Sequence, residues 1–530
     1  MVLSSFFFIG LGNVHLFDWD EINFAESARE MIESGDYLRV QINYLPFWEK
    51  PPFFFWLQVG AMKLFGVNEF AARFPNAIFG FLYLWTFYTI GKFHYNARFG
   101  ILWALLFFGS LLPHLYFKSG IIDPVFNYFI FLSIYFLIRV VAKQQANLWK
   151  FALLAGIFSG LSVITKGPVG FLLLGLTFFF YFLFKRFRNL PHLRYFVLFL
   201  VGMLGIIGAW VAMEVYQNGF AILQQFIDYQ VELFKTPVAG HEQPFYYHFV
   251  IVALGCFPLS IFALPSLIKN SDSNAYDLRK WMLCLFWVVL ILFSITTTKI
   301  AHYSSMTYAP LAFLATLEIW LIVEGKKTPK NYVTYTFLLV GIVLSSLFIV
   351  LPLLLRSKEW LIPKMNDPFA AASLKSAVAW SGWEALIGVF MLVAIIVAFV
   401  LLLKRFVVTS VLTVTGGIGI SLLLLLFFVV PKAESISQRP AIDFFTSISG
   451  EDCYVESYGY KSYAQYFYGK KPSEARPESR VFDWLMNGDI DKPVYLVSKV
   501  TNTELDEHPN FKLLRIDGGF RIYKRSVPQK

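Results

Sequence analysis

The sequence is poor in charged residues and in cysteine. Asp, Glu, Lys and Arg make up 15% of its 530 residues, whereas a soluble chain usually carries roughly 25%. The three cysteines, Cys256, Cys284 and Cys453, have neither a disulfide nor a metal-ligand spacing. These shortages exclude an ordinary soluble protein, a disordered chain and a disulfide-stapled domain. With 57% hydrophobic residues and a mean hydropathy of +0.58, the chain is predicted to be a polytopic membrane protein.

The few charges are unevenly distributed along the chain. Residues 431–530 carry 15 basic and 14 acidic side chains, although they form less than a fifth of the chain. We therefore expect two parts, a transmembrane body over 1–430 and a small soluble α/β domain over 431–530. Strands are predicted at 453–460, 493–500 and 511–525, and helices at 439–449 and 478–487.

Apolar runs separated by charged or turn residues predict about thirteen membrane spans. Their approximate bounds are 1–17, 74–91, 99–117, 123–142, 149–165, 168–184, 194–214, 247–268, 281–298, 302–323, 332–355, 383–403 and 406–430. The segment 302–323 is the weakest of these, and the run 1–17 is short for a span of about 20 residues.

Lysine and arginine concentrate in alternate loops. Seventeen of them lie between positions 92 and 405 in loops of one side, whereas the short loops of the other side offer single cations such as Lys118, Lys166 and Lys299. By the positive-inside rule, the first set is cytoplasmic. The N-terminus is then cytoplasmic, and the loop 18–73, the 215–246 loop and the tail lie outside. A nucleic-acid partner is not expected, because the cations form no soluble basic patch.

The first outside loop, 18–73, is rich in acidic residues. Residues Glu21 to Met31 are predicted to form an amphipathic helix that ends at Ser34-Gly35-Asp36, and residues 53–65 to form an interfacial helix. Asp20 and Glu21 suit either a functional site or a helix N-terminus, where acidic side chains favour the dipole. Glu49 and Lys50 fit a site and a solvated loop pair equally well.

Further unusual polar residues face the same outside compartment. Asp123 precedes Pro124 at the start of a span, where it suits a helix cap and a functional carboxylate about equally. His241 is an ordinary surface histidine or, with Glu49, a ligand of a divalent metal. Lys299, His302 and Tyr303 cluster at the outside end of another span, as a site or as an interfacial belt. Walker A, dinucleotide-binding and HExxH motifs are absent, so no nucleotide cofactor is expected.

Together these residues resemble a known family. Asp20-Glu21, Ala25-Glu26, Arg29-Glu30-Met31, Gly35-Asp36 and Glu49-Lys50-Pro51 resemble the first periplasmic loop of the bacterial aminoarabinose transferases of lipid A modification and of the wider protein mannosyltransferase-related family. Thr165-Lys166-Gly167-Pro168, His241 with Pro244 to Tyr247, and Lys299 with His302-Tyr303 are similar to later blocks. The resemblance covers about residues 15–320. Asn23-Phe24 departs from the Arg-Tyr of the aminoarabinose transferases, which leaves the sugar and the acceptor open.

The resemblance implies a C-type glycosyltransferase fold that uses a polyprenyl-phosphate sugar as donor, in the bacterial inner membrane. It implies Asp20 and Asp123 as active-site carboxylates, and Glu49 and His241 as ligands of a divalent metal ion (Zn, Mg or Mn). Lys50 and Tyr303, together with Lys299, would bind the donor phosphate. Further candidates for the active site are Glu21, Arg29, Lys166 and His302.

The sequence thus predicts an inverting transfer on the periplasmic side, to a glycolipid such as lipid A or to a protein hydroxyl, by a monomer in the lipid bilayer. A transporter or flippase of lipid-linked substrates is the alternative. Such a protein would show internal repeats and polar residues near mid-membrane. Here the polar residues gather at one face, and no internal repeat is evident.

Overall fold

The structure is a computed structural model that describes residues 2–143, 146–235, 243–268, 276–472 and 476–528. Before the first long helix lies a short N-terminal part with a two-stranded hairpin. Its elements are α1 (Val2–Ser5), α2 (Asp20–Ser34), β1 (Gln41–Ile42), β2 (Leu45–Pro46) and α3 (Phe53–Phe65). Both helices predicted for the first loop are thereby confirmed as helices, whereas the interfacial position of the second stays a prediction.

Helix α2 ends where the sequence places a stop signal. Gly35 follows it with a left-handed backbone (φ 73°) and donates its N–H to the Met31 carbonyl, a C-terminal cap for which glycine is the favoured residue. Residues 21 to 31 of the helix are all buried, so the first loop is packed into the protein and is not a solvated connection.

A bundle of long helices follows. The helices up to the middle of the chain are α4 (Glu69–His94), α5 (Ala97–Phe108), α6 (Leu111–Tyr116), α7 (Asp123–Ala142), α8 (Leu148–Lys166), α9 (Val169–Phe184), α10 (Leu193–Asn218) and α11 (Phe220–Lys235). Next come α12 (Tyr247–Gly255), α13 (Leu259–Phe262), α14 (Leu264–Ile268), α15 (Leu278–Ile295), a 3₁₀ turn (Ala301–Thr307), α16 (Tyr308–Val323), α17 (Asn331–Arg356), α18 (Lys358–Leu361), a 3₁₀ turn (Ile362–Lys364), α19 (Pro368–Leu374), α20 (Ala385–Leu403), α21 (Val407–Phe428) and α22 (Val430–Ser437).

Within the described ranges, eight helices are long and apolar enough to cross a membrane. They are 123–142, 148–166, 193–218, 278–295, 301–323, 331–356, 385–403 and 407–437, and each coincides with a predicted span, including the weak segment 302–323. The chain is therefore a multi-pass membrane protein. The last of these helices runs beyond residue 430, the boundary predicted for the transmembrane body.

The other five predicted spans are not confirmed as continuous spanning helices, so the count of thirteen stays a prediction. The run 99–117 divides at Gly109-Ser110 into α5 and α6, and the run 247–268 divides into α12, α13 and α14 around Pro258. The run 168–184 is a helix of 16 residues, and in the run 1–17 only α1 is regular α-helix. The run 74–91 lies within α4, whose buried face includes Arg73 and Asn76.

The tail forms a four-stranded sheet with flanking helices, as its pattern predicts. Strand order is β3-β4-β6-β5, with β3 and β4 parallel and the other pairs antiparallel. The elements are α23 (Arg439–Ser447), β3 (Tyr454–Tyr458), α24 (Ala464–Phe467), α25 (Phe482–Asn487), β4 (Val494–Lys499), β5 (Lys512–Asp517) and β6 (Phe520–Arg525), with 3₁₀ turns at Pro477–Arg480 and Glu504–Asp506.

The tail packs onto the first loop through buried polar contacts. Arg29 Nη2 and the Tyr44 hydroxyl both donate to the carbonyl of Lys471, at 3.0 and 2.7 Å. We call these three residues the clasp. Farther along, the Leu16 N–H donates to the Tyr468 hydroxyl at 2.8 Å. The tail therefore covers the loop that carries Asp20 and Lys50.

Candidate active site

Two carboxylates from distant parts of the chain meet at one histidine. Asp20 is the first residue of α2 and Asp123 the first residue of α7. His302, in the 3₁₀ turn before α16, places its Nε2 at 3.2 Å from Asp20 Oδ2 and at 3.8 Å from Asp123 Oδ2. All three side chains are largely buried, so the fold brings ionisable groups together where isolated charges would be costly.

Lys166 completes this cluster from the end of α8. Its Nζ lies 2.5 Å from Asp123 Oδ1 and 5.0 Å from the centre of the Tyr303 ring. The Asp123 side chain is only 4% exposed, yet among the described residues its Oδ2 accepts no hydrogen bond. One oxygen of Asp123 is thus held by Lys166, and the other keeps its capacity to accept a hydrogen bond.

Lys50 approaches the cluster from the first loop. Its Nζ is 3.1 Å from Glu49 Oε1, and its charge acts on Asp20 and Tyr303. Burial lowers the pKa of Lys50, but the negative charge of Glu49 and the nearby Tyr303 and Asp20 outweigh this and raise it above the ordinary value. Lys50 therefore remains a cation at any physiological pH.

Asp20 remains an anion for a related reason. Burial acts to raise its pKa, but the hydrogen bond and charge of His302, with the charges of Lys50 and Lys166, lower the pKa below its ordinary value. A carboxylate of this kind can orient a substrate hydroxyl, accept a proton or stabilise a positively charged sugar carbon.

A buried hydrogen-bond network holds the backbone of His302 near Asp123. Its members are not among the predicted site residues. Asn127 donates through Nδ2 to the Tyr116 hydroxyl at 2.8 Å and to Ser305 Oγ at 2.9 Å. Ser305 Oγ in turn donates to the carbonyl of His302. Asn127 is four residues after Asp123 and lies on the same face of α7. The network therefore connects α7, which carries Asp123, to the 3₁₀ turn that carries His302. The i, i+4 spacing from Asp123 is the sequence signal that could have identified Asn127.

Beside this network lies a cavity of about 50 Å³. It is lined by Asp123, Phe126, Asn127, Lys166, Val169, Leu173, Phe293, Tyr303 and Met306. One wall is therefore charged and the other apolar, a combination that suits a charged lipid headgroup whose tail enters the bilayer.

Glu21 and Arg29 make buried structural contacts, and an active-site role for them stays a prediction. Glu21 receives Arg73 through both carboxylate oxygens, at 3.0 and 2.7 Å, and the Gly120 N–H at 2.5 Å. These contacts join α2, α4 and the segment before α7. Arg29 forms a two-pronged pair with Glu26, at 2.7 and 2.8 Å, and belongs to the clasp.

Lys299 and the predicted metal ligand Glu49 form hydrogen bonds with residues outside the cluster of Asp20, Asp123 and His302. Lys299 donates to the Thr296 carbonyl at 2.6 Å, which fixes the turn that leads to His302. His241 lies outside the described residues. Within those residues no group of three or more His, Cys, Asp and Glu forms a metal-binding cluster, and Glu49 contacts Lys50. The metal at Glu49 and His241 therefore stays a prediction.

Comparison with known proteins agrees with the geometry. The family model for dolichyl-phosphate-mannose-protein mannosyltransferases matches residues 49–212. A protein of Aquifex aeolicus with no assigned function is 27% identical over 365 residues, which is 68% of this chain and 71% of that protein. The undecaprenyl phosphate-α-4-amino-4-deoxy-L-arabinose arabinosyl transferase of Aeromonas hydrophila is 24% identical over 72% of this chain and 69% of its own length.

A solved structure has the same fold over the whole chain. ArnT from Cupriavidus metallidurans bound to undecaprenyl phosphate superimposes with a TM-score of 0.77 at 20% identity, over 100% of this chain and 98% of ArnT. The fold is thus the C-type glycosyltransferase fold, as expected. The chain is therefore similar, in part of its sequence and in its fold, to membrane glycosyltransferases related to the protein mannosyltransferases and to the arabinosyl transferases.

Proposed function

We propose that this protein transfers a sugar from a polyprenyl-phosphate donor to an acceptor on the periplasmic side of the inner membrane, with inversion at the sugar carbon. The names of the relatives and the undecaprenyl phosphate bound by the ArnT structure support the donor class. The observation that carries the proposal is the placement of His302 between Asp20 and Asp123, beside the cations Lys50 and Lys166.

The cations fit the demands of the leaving group. When the bond from sugar to phosphate breaks, negative charge grows on the lipid phosphate, and a cation held nearby in a low-dielectric site lowers the barrier. Lys50 is half-buried, its pKa is raised by Glu49, and its charge acts on the nearby Tyr303. We therefore assign phosphate binding to Lys50 and Tyr303, whereas Lys299 supports the turn that carries Tyr303.

The carboxylates fit the demands of the acceptor. If the acceptor is a hydroxyl, the open Oδ2 of Asp123 can take its proton as the new bond to the sugar carbon forms. If the acceptor is a phosphate, it is already ionised, and Asp20 and Asp123 orient it and stabilise the positive sugar carbon. Either case is one displacement, which inverts the configuration at that carbon.

A divalent metal at Glu49 and His241 belongs to this proposal as a second source of positive charge. When bound, such an ion would neutralise charge on the donor phosphate. Elemental analysis of the purified protein tests it: the Glu49→Ala, His241→Ala double variant should lose a bound ion, and an unchanged metal content would refute the pair.

The side of the reaction follows from the charge distribution. Seventeen cations in alternate loops support a cytoplasmic N-terminus, and the site residues all lie in the segments assigned to the opposite side. The tail, which contacts the first loop through the clasp, is then periplasmic and closes over the site.

The acceptor is identified by mass spectrometry of envelope lipids and glycoproteins from cells with and without the gene. We expect one glycan-bearing species to disappear without the gene, to return with the wild-type gene and to stay absent with Asp20→Asn. If wild-type and Asp20→Asn genes restore the same species equally, the proposed site is wrong.

A further inference from the structure

A second small cavity adjoins Lys50 on the side of α10. Its volume is about 30 Å³, and its lining includes Lys50, Trp48, Trp210, Glu214 and Phe226. We call it the Glu214 pocket. The first loop supplies one wall and the last turns of α10 another, and these elements are joined by Arg39 Nη2, which donates to Asn218 Oδ1 at 2.6 Å.

Glu214 is the feature of this pocket that needs an explanation. The residue is 5% exposed and lies near the end of a membrane-spanning helix. Asn218 Nδ2 donates to its Oε1 at 3.1 Å, but within the described residues its Oε2 has no hydrogen-bond partner. A buried carboxylate oxygen without a partner is unfavourable, and an ionisable group in a membrane-spanning helix commonly marks a functional site.

Trp210 adds a donor to the same wall. Its ring packs edge-on against Phe226, with centroids 5.6 Å apart, and its Nε1 also lacks a partner among the described residues. Besides the cations Lys50 and Arg39, which also line it, the pocket therefore offers one strong acceptor, the indole donor and aromatic surfaces. A sugar hydroxyl can satisfy both polar atoms, an ammonium group can satisfy the Glu214 oxygen alone, and an alkyl chain satisfies neither.

The size of the cavity limits which chemical groups can bind in it. One water needs about 10–15 Å³ of such space, so the Glu214 pocket admits a hydroxyl or an amino group and excludes a whole sugar ring. Because Lys50 lines the pocket and is assigned to the donor phosphate, the group that reaches Glu214 is a substituent of the sugar attached to that phosphate.

We propose that the Glu214 pocket binds one hydrogen-bond-donating substituent, a hydroxyl or an ammonium, of the sugar on the polyprenyl-phosphate donor, and thereby selects the sugar. The inference rests on the proposed function, since it takes the donor phosphate to lie at Lys50. Glu214 acts here as a binding residue and takes no part in proton transfer.

The test measures binding to the purified full-length protein with three probes: undecaprenyl phosphate, undecaprenyl-phosphate mannose and undecaprenyl-phosphate 4-amino-4-deoxy-L-arabinose. We expect the wild type to bind one sugar-bearing probe about tenfold to a hundredfold more tightly than the bare lipid phosphate. Glu214→Gln should abolish this gain and leave the affinity for undecaprenyl phosphate unchanged. The probe that loses affinity distinguishes an amino from a hydroxyl substituent.

Two further variants guard against a folding defect. Trp210→Phe keeps an aromatic ring against Phe226. It should lose part of the gain if the bound group is a hydroxyl, which accepts from Trp210, and keep the gain if it is an ammonium, which cannot. Gln217→Ala is the matched control, because Gln217 is exposed on the same turn of α10 and contacts Asp36, outside the pocket; it should keep the full gain.

Three results would overturn the inference: no sugar-bearing probe binds more tightly than the bare lipid phosphate, Glu214→Gln keeps the gain, or Glu214→Gln weakens all probes equally. If the wild type does not bind undecaprenyl phosphate at all, the proposed function fails and the inference fails with it. If it binds undecaprenyl phosphate but shows one of the three results above, the inference alone fails.

Discussion

Asp123 presents its two carboxylate oxygens to different surroundings. Lys166 holds Oδ1, while Oδ2 lies 3.8 Å from His302 Nε2. We expect Asp123→Asn to lower kcat by about 100-fold or more, because a neutral amide can neither take the proton of a hydroxyl acceptor nor stabilise the positive sugar carbon, while KM for the donor changes little. A steady-state transfer assay with the purified protein measures both.

A carboxylate of similar setting provides the control. Asp277 precedes the first residue of α15 and is paired with Lys185 at 2.7 Å. His302 follows the other end of that helix, so Asp277→Asn should keep near-wild-type turnover. If Asp123→Asn keeps most of its kcat, or if both variants fall alike, the assignment of Asp123 is refuted.

Lys50 is expected to act on binding and on the leaving group together. Lys50→Ala should weaken binding of undecaprenyl phosphate by tenfold or more, since a buried charge-assisted contact contributes about 1.5–3 kcal/mol. Lys63→Ala is the matched control, because Lys63 lies on α3 in the same loop and stacks over Tyr37 at 4.2 Å. Equal affinities of Lys50→Ala and the wild type would contradict the phosphate assignment.

At the level of residues, the sequence identified the charged cluster but not its support. Asp20, Lys50, Asp123, Lys166 and His302 are conspicuous because charge is scarce in an apolar chain. Asn127, Ser305 and Tyr116 are ordinary polar residues whose importance depends on three-dimensional contact. Glu21 looked equally conspicuous, yet its contacts with Arg73 depend on tertiary packing, which the local sequence does not reveal.

Among the elements, helix α2 connects the site to the tail. Arg29 on α2 is buried with Glu26 and reaches Lys471. We expect Arg29→Ala to destabilise the protein by about 3–5 kcal/mol, because it leaves the buried Glu26 charge unpaired, and to expose residues 454–525 to protease. Thermal unfolding and limited proteolysis measure this.

A less deeply buried arginine on the tail is the control for the clasp. Arg521 pairs with Asp506 at 2.7 Å near the surface, and such pairs contribute about 0–1 kcal/mol. Arg521→Ala should therefore leave both readouts close to wild type. A similar loss in the two variants would show that the clasp has no special role in docking the tail.

Glu30, also on α2, gives this element a pH dependence. Burial and the neighbouring Glu26 raise its pKa from 4.5 to about 9, so the folded protein keeps a proton that the unfolded chain releases. The contribution of protonated Glu30 to the stability of the folded protein is full below about pH 4.5 and is lost as pH rises through about 9. Melting temperatures between about pH 6 and 9 should fall less steeply for Glu30→Gln than for the wild type, and equal slopes would contradict this account.

Helix positions were easier to predict than helix continuity. The first-loop helices and the eight long spans follow from apolar periodicity and from stop signals such as Gly35. The runs 99–117 and 247–268 contain enough apolar residues for one span each, but Gly109-Ser110 and Pro258 interrupt them. Hydropathy reports composition along the chain and does not report where the backbone turns within the bundle.

For the whole molecule, the account requires the site and the tail to share one compartment. Reporter fusions after Lys530 and within the 143–147 loop should report opposite sides, with the first outside the cytoplasm. The loop fusion is the control, because that loop carries Lys143 and lies in the set assigned to the cytoplasm. Signals from the same side would refute the assigned topology.

The central claim is that the cluster of Asp20, His302 and Asp123 transfers a sugar from a polyprenyl phosphate. The most direct measurement is a transfer assay with the purified protein. It uses an isotope-labelled undecaprenyl-phosphate sugar as donor and the acceptor that was identified in the envelope. The account predicts release of undecaprenyl phosphate in step with one product of inverted configuration, and its loss in Asp20→Asn and Asp123→Asn. Retained configuration, or undiminished turnover in either variant, would contradict it.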